Sequence, residues 1–177
     1  IVQDIFSGYR DSFAFHTYVR EALLEDALRP QFPNVVAVHA PDSGCGMWAS
    51  YISVRDVQPG QVEELGRAAL KAGGGKLVVV VDDTIDVFDE PQVLWAIHAF
   101  SVLETGVHVI QNLDNRRWVQ PKGARAGFGL TSWEENKVVL DATRPTHVTF
   151  GSRSDIPAEV MQRVRLADYL PGALVRA

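Results

Sequence analysis

Asp82-Asp83-Thr84-Ile85-Asp86 gathers three carboxylates in one short stretch, the donor type that a hard cation such as Mg²⁺ prefers. They follow an apolar run and so stand at the C-terminal tip of a strand, where open α/β sheets place their ligands. A phosphatase-like nucleophile pair needs its two aspartates separated by one residue, and Asp82 and Asp83 are adjacent. The simpler reading is that the acids serve the backbone. They accept from amides in the turn and open the next helix, with Ile85, Val87 and Phe88 packed beneath. A second stretch, Gly73-Gly74-Gly75-Lys76, has the look of a phosphate loop. Leu77 follows the lysine where Ser or Thr is required, and the glycines precede a strand instead of opening a helix. Their amides are therefore not aimed at an anion.

The remaining reactive types are dispersed. His16, His39, His98, His108 and His147 form no pair at metal-ligand spacing. Cys45 lies between glycines in Ser43-Gly44-Cys45-Gly46, with no base or cation nearby in sequence to activate it, and reads as an inert thiol. Of Trp48, Trp95, Trp118 and Trp133, the last two fall in a long polar stretch and are the pair expected to meet a partner.

The elements that position these residues follow from periodicity. Tyr18, Ala22, Leu24 and Leu28, widened by Val19 and Leu23, predict an amphipathic helix over roughly residues 12 to 28, stopped by Pro30 and Pro33. Asn34 to His39 and Met47 to Val54 read as strands flanking the turn signal Pro41-Asp42-Ser43-Gly44. Pro59-Gly60 opens a helix with Val62, Leu65, Ala69 and Leu70 on its apolar face, and the three glycines close it. Lys76 to Val81 carries five successive apolar residues, the mark of a central, parallel strand covered on both faces. Asp89-Glu90-Pro91 is a helix start with Asp89 as the capping carboxylate; the helix continues through Val93, Leu94 and Ile97 to Leu103. Val107 to Ile110 and Val138 to Leu140 are short strands around a loop from Asn112 to Glu135 that holds Pro121, Gly123, Gly127 and Gly129, and Pro157 to Leu170 is a last helix. The fold class is α/β, a mixed and mostly buried sheet flanked by helices, with the last helix expected in an oligomer contact.

Composition sets the outer bounds. The chain has 177 residues, 46% hydrophobic and 22% charged, which excludes wholesale disorder. A net charge of −5 without a basic stripe argues against nucleic acid as a partner. The longest apolar run, Leu77 to Val81, is far too short to span a membrane, and the first residues do not read as a signal peptide, so none is expected there. One cysteine fits a reducing compartment, so a cytoplasmic location is expected. The start Ile1-Val2-Gln3-Asp4, without Met, leads us to expect a piece of a longer polypeptide.

The run from Lys76 through the Asp82-Asp83-Thr84-Ile85-Asp86 turn to Val93-Leu94-Trp95-Ala96-Ile97 resembles the C-terminal domain of the UbiD family, prenylated-flavin-dependent carboxy-lyases. Phe32-Pro33-Asn34-Val35, Ile52-Ser53-Val54-Arg55 with Pro59-Gly60, and Val138-Val139-Leu140-Asp141-Ala142-Thr143 resemble further pieces in the family's order. Together they cover most of residues 15 to 145. Departures are Thr84 in place of a third acid and Ala99-Phe100 where the family carries an arginine.

The resemblance implies the C-terminal part of a decarboxylase acting, reversibly and without oxidation, on an aromatic or α,β-unsaturated carboxylic acid. It implies residues 1–155 as the C-terminal-type domain and 156–177 as a helical tail. The implied cofactor is prenylated FMN with a divalent metal (Mn or Mg) and K, held mainly by an upstream flavin domain absent from this chain. The family's catalytic Glu-Arg-Glu and its metal ligands lie in that domain, so no catalytic or metal-ligating residue is assigned here, and the isolated segment is expected to be inactive. In some relatives a lysine before the buried strand contacts the flavin phosphate; Lys71 is its best positional match and Lys76 the second, while a helix C-terminal lysine favoured by the macrodipole explains Lys71 equally well. Phe13, Phe15 and His16 fall where the family lines its substrate pocket. A homo-oligomer is expected. The competing readings are a non-catalytic oligomerisation module using the apolar edge Val160, Val164 and Ala167, and a stand-alone Mg²⁺-binding protein using Asp82, Asp83 and Asp86.

Overall fold

The computed structural model describes residues 10–114, 134–147, 149–150, 156–165 and 168–169. In chain order the elements are α1 (Arg10–Leu28), β1 (Val35–His39), β2 (Ala49–Val54), α2 (Gln61–Ala72), β3 (Leu77–Asp82), α3 (Glu90–Phe100), α4 (Leu103–Gly106), β4 (Val107–Asp114), β5 (Glu134–Ala142) and α5 (Ala158–Met161). The chain packs as two compact units, Ile1–Pro145 and Thr146–Ala177. The first holds the whole sheet; α5 is the one helix described in the second.

The sheet order is β1-β2-β3-β5-β4. As its unbroken valines predict, β3 is central, and it runs parallel to both neighbours, β2 and β5. The outer strands β1 and β4 pair antiparallel, which makes the sheet mixed. Val78 to Val81 have no exposed surface. Because side chains alternate along a strand, Val78 and Val80 join Ile52, Val54, Val139 and the helix residues Leu24, Leu28, Leu65 and Leu70 in one core, and Val79 and Val81 face the other way. On that other side α3 packs against β5, with its Val93, Ala96 and Phe100 buried. Gly66 lets α2 lie flat on the sheet: a Cβ there would overlap the side chain of Val139.

Several expectations need correction. In α1 only Leu24 and Leu28 of the expected stripe are buried, together with Thr17, whereas Tyr18, Val19, Ala22 and Leu23 are exposed. At 3.6 residues per turn those four lie across the helix from Leu24 and Leu28, so the six positions form two faces. The α3 helix ends at Phe100 instead of reaching Leu103, because Ser101 turns extended and its Oγ donates to the Asp141 carbonyl at 2.6 Å. Asp89 occupies the N-cap of α3 without capping it; its carboxylate accepts from Gln92 Nε2 at 2.8 Å instead.

The polar ends of the expected loop are strand, since β4 runs on to Asp114 and β5 begins at Glu134, in a ladder with a register shift between Ile110 and Leu113. Residues 115–133, with Pro121, Gly123, Gly127, Gly129 and both partner-facing tryptophans, Trp118 and Trp133, lie outside the described residues. The expected last helix is helical only over Ala158–Met161 among the described residues. Its Val160 and Val164 are exposed, and Ala167 and Leu170 lie outside the described residues.

Candidate functional site

The strand order brings the acidic turn to the C-terminal end of β3, as the sequence predicts, and its carboxylates accept from nearby backbone amides, a hydroxyl and a guanidinium of the same unit. Asp82 Oδ1 accepts from the Thr84 amide at 3.0 Å and from the Thr84 hydroxyl. Its Oδ2 accepts from the Arg144 amide at 3.0 Å, which ties β3 to the chain leaving β5. Asp83 Oδ2 takes the Arg55 Nε–H at 2.7 Å, and that carboxylate raises the pKa of the exposed guanidinium. Asp86 Oδ1 accepts the Phe88 amide at 2.9 Å. The neighbouring parallel strand ends identically: Asp141 Oδ1 accepts from the Thr143 amide at 2.9 Å and hydroxyl at 2.7 Å. Both Asp-x-Thr pairs are thus turns that stop a strand, with the side chain standing in for a backbone acceptor. Among the described residues no group of three or more His, Cys, Asp or Glu is placed to hold a metal ion, and the Mg²⁺-binding reading of Asp82, Asp83 and Asp86 falls with it.

The glycine run is architectural. Gly73 caps α2 in the left-handed region, its N–H donating to the carbonyls of Ala69 and Leu70. Arg20 of α1 reaches over and donates through Nη1 to the Gly73 carbonyl, placing a cation at the negative end of α2. Burial of that guanidinium lowers its pKa. Ser50 Oγ donates to the Gly74 carbonyl at 3.0 Å. These glycines therefore join α2 to β3, in keeping with the rejection of a phosphate loop.

Lys71 is exposed in the last turn of α2, and Lys76 lies just before β3. The six residues of β3, at about 3.3 Å each, carry the backbone about 20 Å from the position after Lys76 to Asp82 at the acidic turn. One exposed ammonium can meet one edge of a flavin phosphate. The side chains of Phe13, Phe15 and His16 lie outside the described residues.

A second polar cluster has no counterpart in any sequence motif. It lies where β1 and β2 meet the loop between them, with His39 opposite Tyr51 in the β1–β2 register. Glu21 Oε1, from α1, accepts the Ala40 amide at 3.0 Å and lies 2.6 Å from His39 Nδ1. Since that oxygen is already an acceptor, the proton between it and the ring sits on Nδ1. Glu90 Oε1, from the first turn of α3, accepts from the Tyr51 hydroxyl at 2.7 Å and from Ser43 Oγ. Burial, followed by the hydrogen bond and charge of Glu90, pushes Tyr51 up to about 12. The Phe88 ring covers His39 at 5.0 Å between centroids. Two glutamates from two helices thus hold the β1–β2 connection, including Cys45, which is buried in a left-handed turn. Burial and then the charge of Asp42 raise that thiol's pKa, so it is inert, as its sequence neighbours predict.

Among the described residues no helix is long and apolar enough to cross a membrane.

Residues 14–142, well over half of the chain, match the family described as the 3-octaprenyl-4-hydroxybenzoate carboxy-lyase C-terminal domain. An anhydromevalonate phosphate decarboxylase from Aeropyrum pernix is 32% identical over 142 residues, covering 79% of this chain and 31% of that protein. The UbiD-class enzyme HmfF from Pelotomaculum thermopropionicum, solved in complex with FMN, superposes with a TM-score of 0.73 at 25% identity over 90% of this chain and 34% of its own. An evolved dimeric form of HmfF in complex with prenylated FMN superposes at 0.66, with 26% identity over 89% of this chain and 31% of its own. The chain spans about a third of the length of these proteins.

Proposed function

Because this chain belongs to the 3-octaprenyl-4-hydroxybenzoate carboxy-lyase C-terminal domain family, we propose that it is the C-terminal part of a UbiD-class decarboxylase. Its substrate class is an aromatic or α,β-unsaturated carboxylic acid, which loses CO₂ and takes up a proton in a reversible, non-oxidative step. In this reading the chemistry belongs to prenylated FMN, a divalent metal and K held by a preceding domain, and residues 1–155 supply a wall and a lever for that domain. Lys71 is the one residue assigned toward the cofactor, as a point charge for its phosphate. The setting is cytoplasmic, and the inert Cys45 thiol is compatible with it.

One observation carries the proposal. The chain, with its β3, acidic turn and α3, superposes on the UbiD-class enzyme HmfF in complex with FMN over 90% of this chain.

The test is CO₂ release by the longer gene product, supplied with prenylated FMN and Mn²⁺, from a panel of aromatic and unsaturated acids. Release that depends on the flavin is expected. A gene product that holds the flavin and decarboxylates none of the panel would contradict the reading.

Self-association is the second part of the proposal. Exposed Val160 and Val164 in the C-terminal unit, and the dimeric state of the evolved HmfF, favour a homo-oligomer built through residues 156–177.

A further inference from the structure

The connection from β1 to β2 is interior without being part of the hydrophobic core. Ala40, Pro41, Gly44, Cys45 and Gly46 are all buried, and none belongs to the cluster that Leu24, Leu28 and the β3 valines form. Connections normally run over the surface, because buried backbone needs partners. Here the segment supplies several of its own. The Gly44 and Gly46 amides donate to the Pro41 carbonyl at 3.0 Å each, and Cys45 donates to Asp42 at 2.8 Å. Met47 and Trp48 donate to the Gly44 carbonyl at 2.9 and 2.8 Å. Those bonds make a compact turn with little internal freedom.

Two carboxylates fasten that turn to the rest of the unit, and they come from helices on opposite faces of the sheet. Glu21 of α1 accepts the Ala40 amide at the entry, beside His39. Glu90 of α3 accepts the Ser43 hydroxyl within the turn and the Tyr51 hydroxyl on β2. Hydrogen bonds to a carboxylate are about twice as strong as neutral ones, so each glutamate is a substantial grip.

We propose that residues 40–47 are a strap that Glu21 and Glu90 hold shut together, and that it opens as one body while the sheet stays folded. A stiff turn gripped at two places releases both grips when it swings out. Both carboxylates therefore bias a single opening, and the strap couples α1 to α3 around β1, the edge strand of the sheet. The inference stands apart from the enzymatic reading, since it uses only contacts within the fold.

Cys45, the chain's one cysteine and buried inside the strap, is the built-in reporter. Glu21→Ala and Glu90→Ala remove one grip each, and a third protein carries both changes. Each is made in the full gene product, pulsed with N-ethylmaleimide at one pH, and read by the mass of the Cys45 peptide. The parent is expected to label slowly, at a rate nearly flat in low urea, because a local opening exposes little surface. Each single variant is expected to label about tenfold faster or more, and the double variant to approach the product of the two factors. Val80→Ala, which weakens the core outside the strap, is expected to leave the flat rate in low urea unchanged. Should an alanine variant fail to fold, Glu21→Gln or Glu90→Gln keeps the shape and weakens the bond, for an expected acceleration of about threefold.

A parent rate that climbs steeply from the lowest urea, or a Val80→Ala rate raised as much as the others, overturns the proposal, since Cys45 then appears only on global unfolding. An unchanged rate in either single variant also overturns it. So does a double variant whose rate is only the sum of the singles, because the two grips then govern separate openings.

Discussion

Gly75→Ala is expected to cost about 3 kcal/mol of stability, the sum of two independent terms. Gly75 sits at φ 92, where an L side chain adds about 1–2 kcal/mol of backbone strain. A Cβ there would also stand 2.5 Å from the carbonyl carbon and oxygen of Trp48 and 2.8 Å from the Met47 oxygen. Those are backbone atoms and cannot rotate away. The same Trp48 carbonyl accepts from the amides of Lys76 at 2.8 Å and Leu77 at 3.2 Å, which sets β3 beside β2. Pushing Trp48 aside therefore disturbs the start of the central strand, and overpacking of this kind costs about 1–3 kcal/mol more. Gly60→Ala is the internal control. Gly60 has φ 78 but nothing within 4 Å of the added carbon, so strain alone applies, about 1 kcal/mol. Urea midpoints of the two variants measure the difference. If they coincide, close packing at the glycine run is not what requires Gly75.

The second large effect appears in alkali. Tyr51 keeps its proton to about pH 12 in the fold, against an ordinary value of 10. A group whose folded pKa is raised contributes stability that is fully present below the unfolded value and disappears as pH climbs through the folded one. The window is therefore pH 10 to 12, and two units set a ceiling of about 2–3 kcal/mol, lowered by solvent screening at the half-buried hydroxyl. Burial is the first cause: ionising a phenol that is 5% exposed would strand an anion in the core beside Glu90. Tyr51→Phe removes the titration while keeping the ring. The variant is expected to be less stable than the parent at pH 8, because Glu90 loses a donor, and to lose less stability between pH 10 and 12. Stability curves for both proteins, measured at each pH, give the difference directly and cancel the ordinary titration of lysines. Parallel curves over that window would contradict the burial of the Tyr51 hydroxyl beside Glu90.

These two sites also show what a sequence can reveal. Four consecutive buried valines can only be a central strand, and that one deduction leads to the parallel neighbours, the helices needed to reach them and the place of the acidic turn. The closing role of the glycines follows from their position between a helix and a strand. The Glu21–His39 and Tyr51–Glu90 contacts join residues 18 and 39 positions apart, and no local pattern pairs them. The one available signal is strand alternation, which puts His39 and Tyr51 on the same face once β1 and β2 are known to be antiparallel. The repeated Asp-x-Thr at 82–84 and 141–143 is in plain view and marks the ends of adjacent parallel strands. The α1 stripe misleads because grouping its apolar residues by type hides their different angles around the helix. Among the described residues the last helix is shorter than its pattern, since an apolar edge from Val160 onward does not by itself specify a helix.

The central claim is that these residues shape and support a decarboxylase whose reacting groups lie in another part of the polypeptide. Its most direct test is to incubate the purified 177-residue chain with prenylated FMN, Mn²⁺ and K⁺ and to follow CO₂ release from the acids that the longer gene product consumes. No release above the protein-free control is expected. Sustained, protein-dependent turnover by the 177-residue chain would contradict the account.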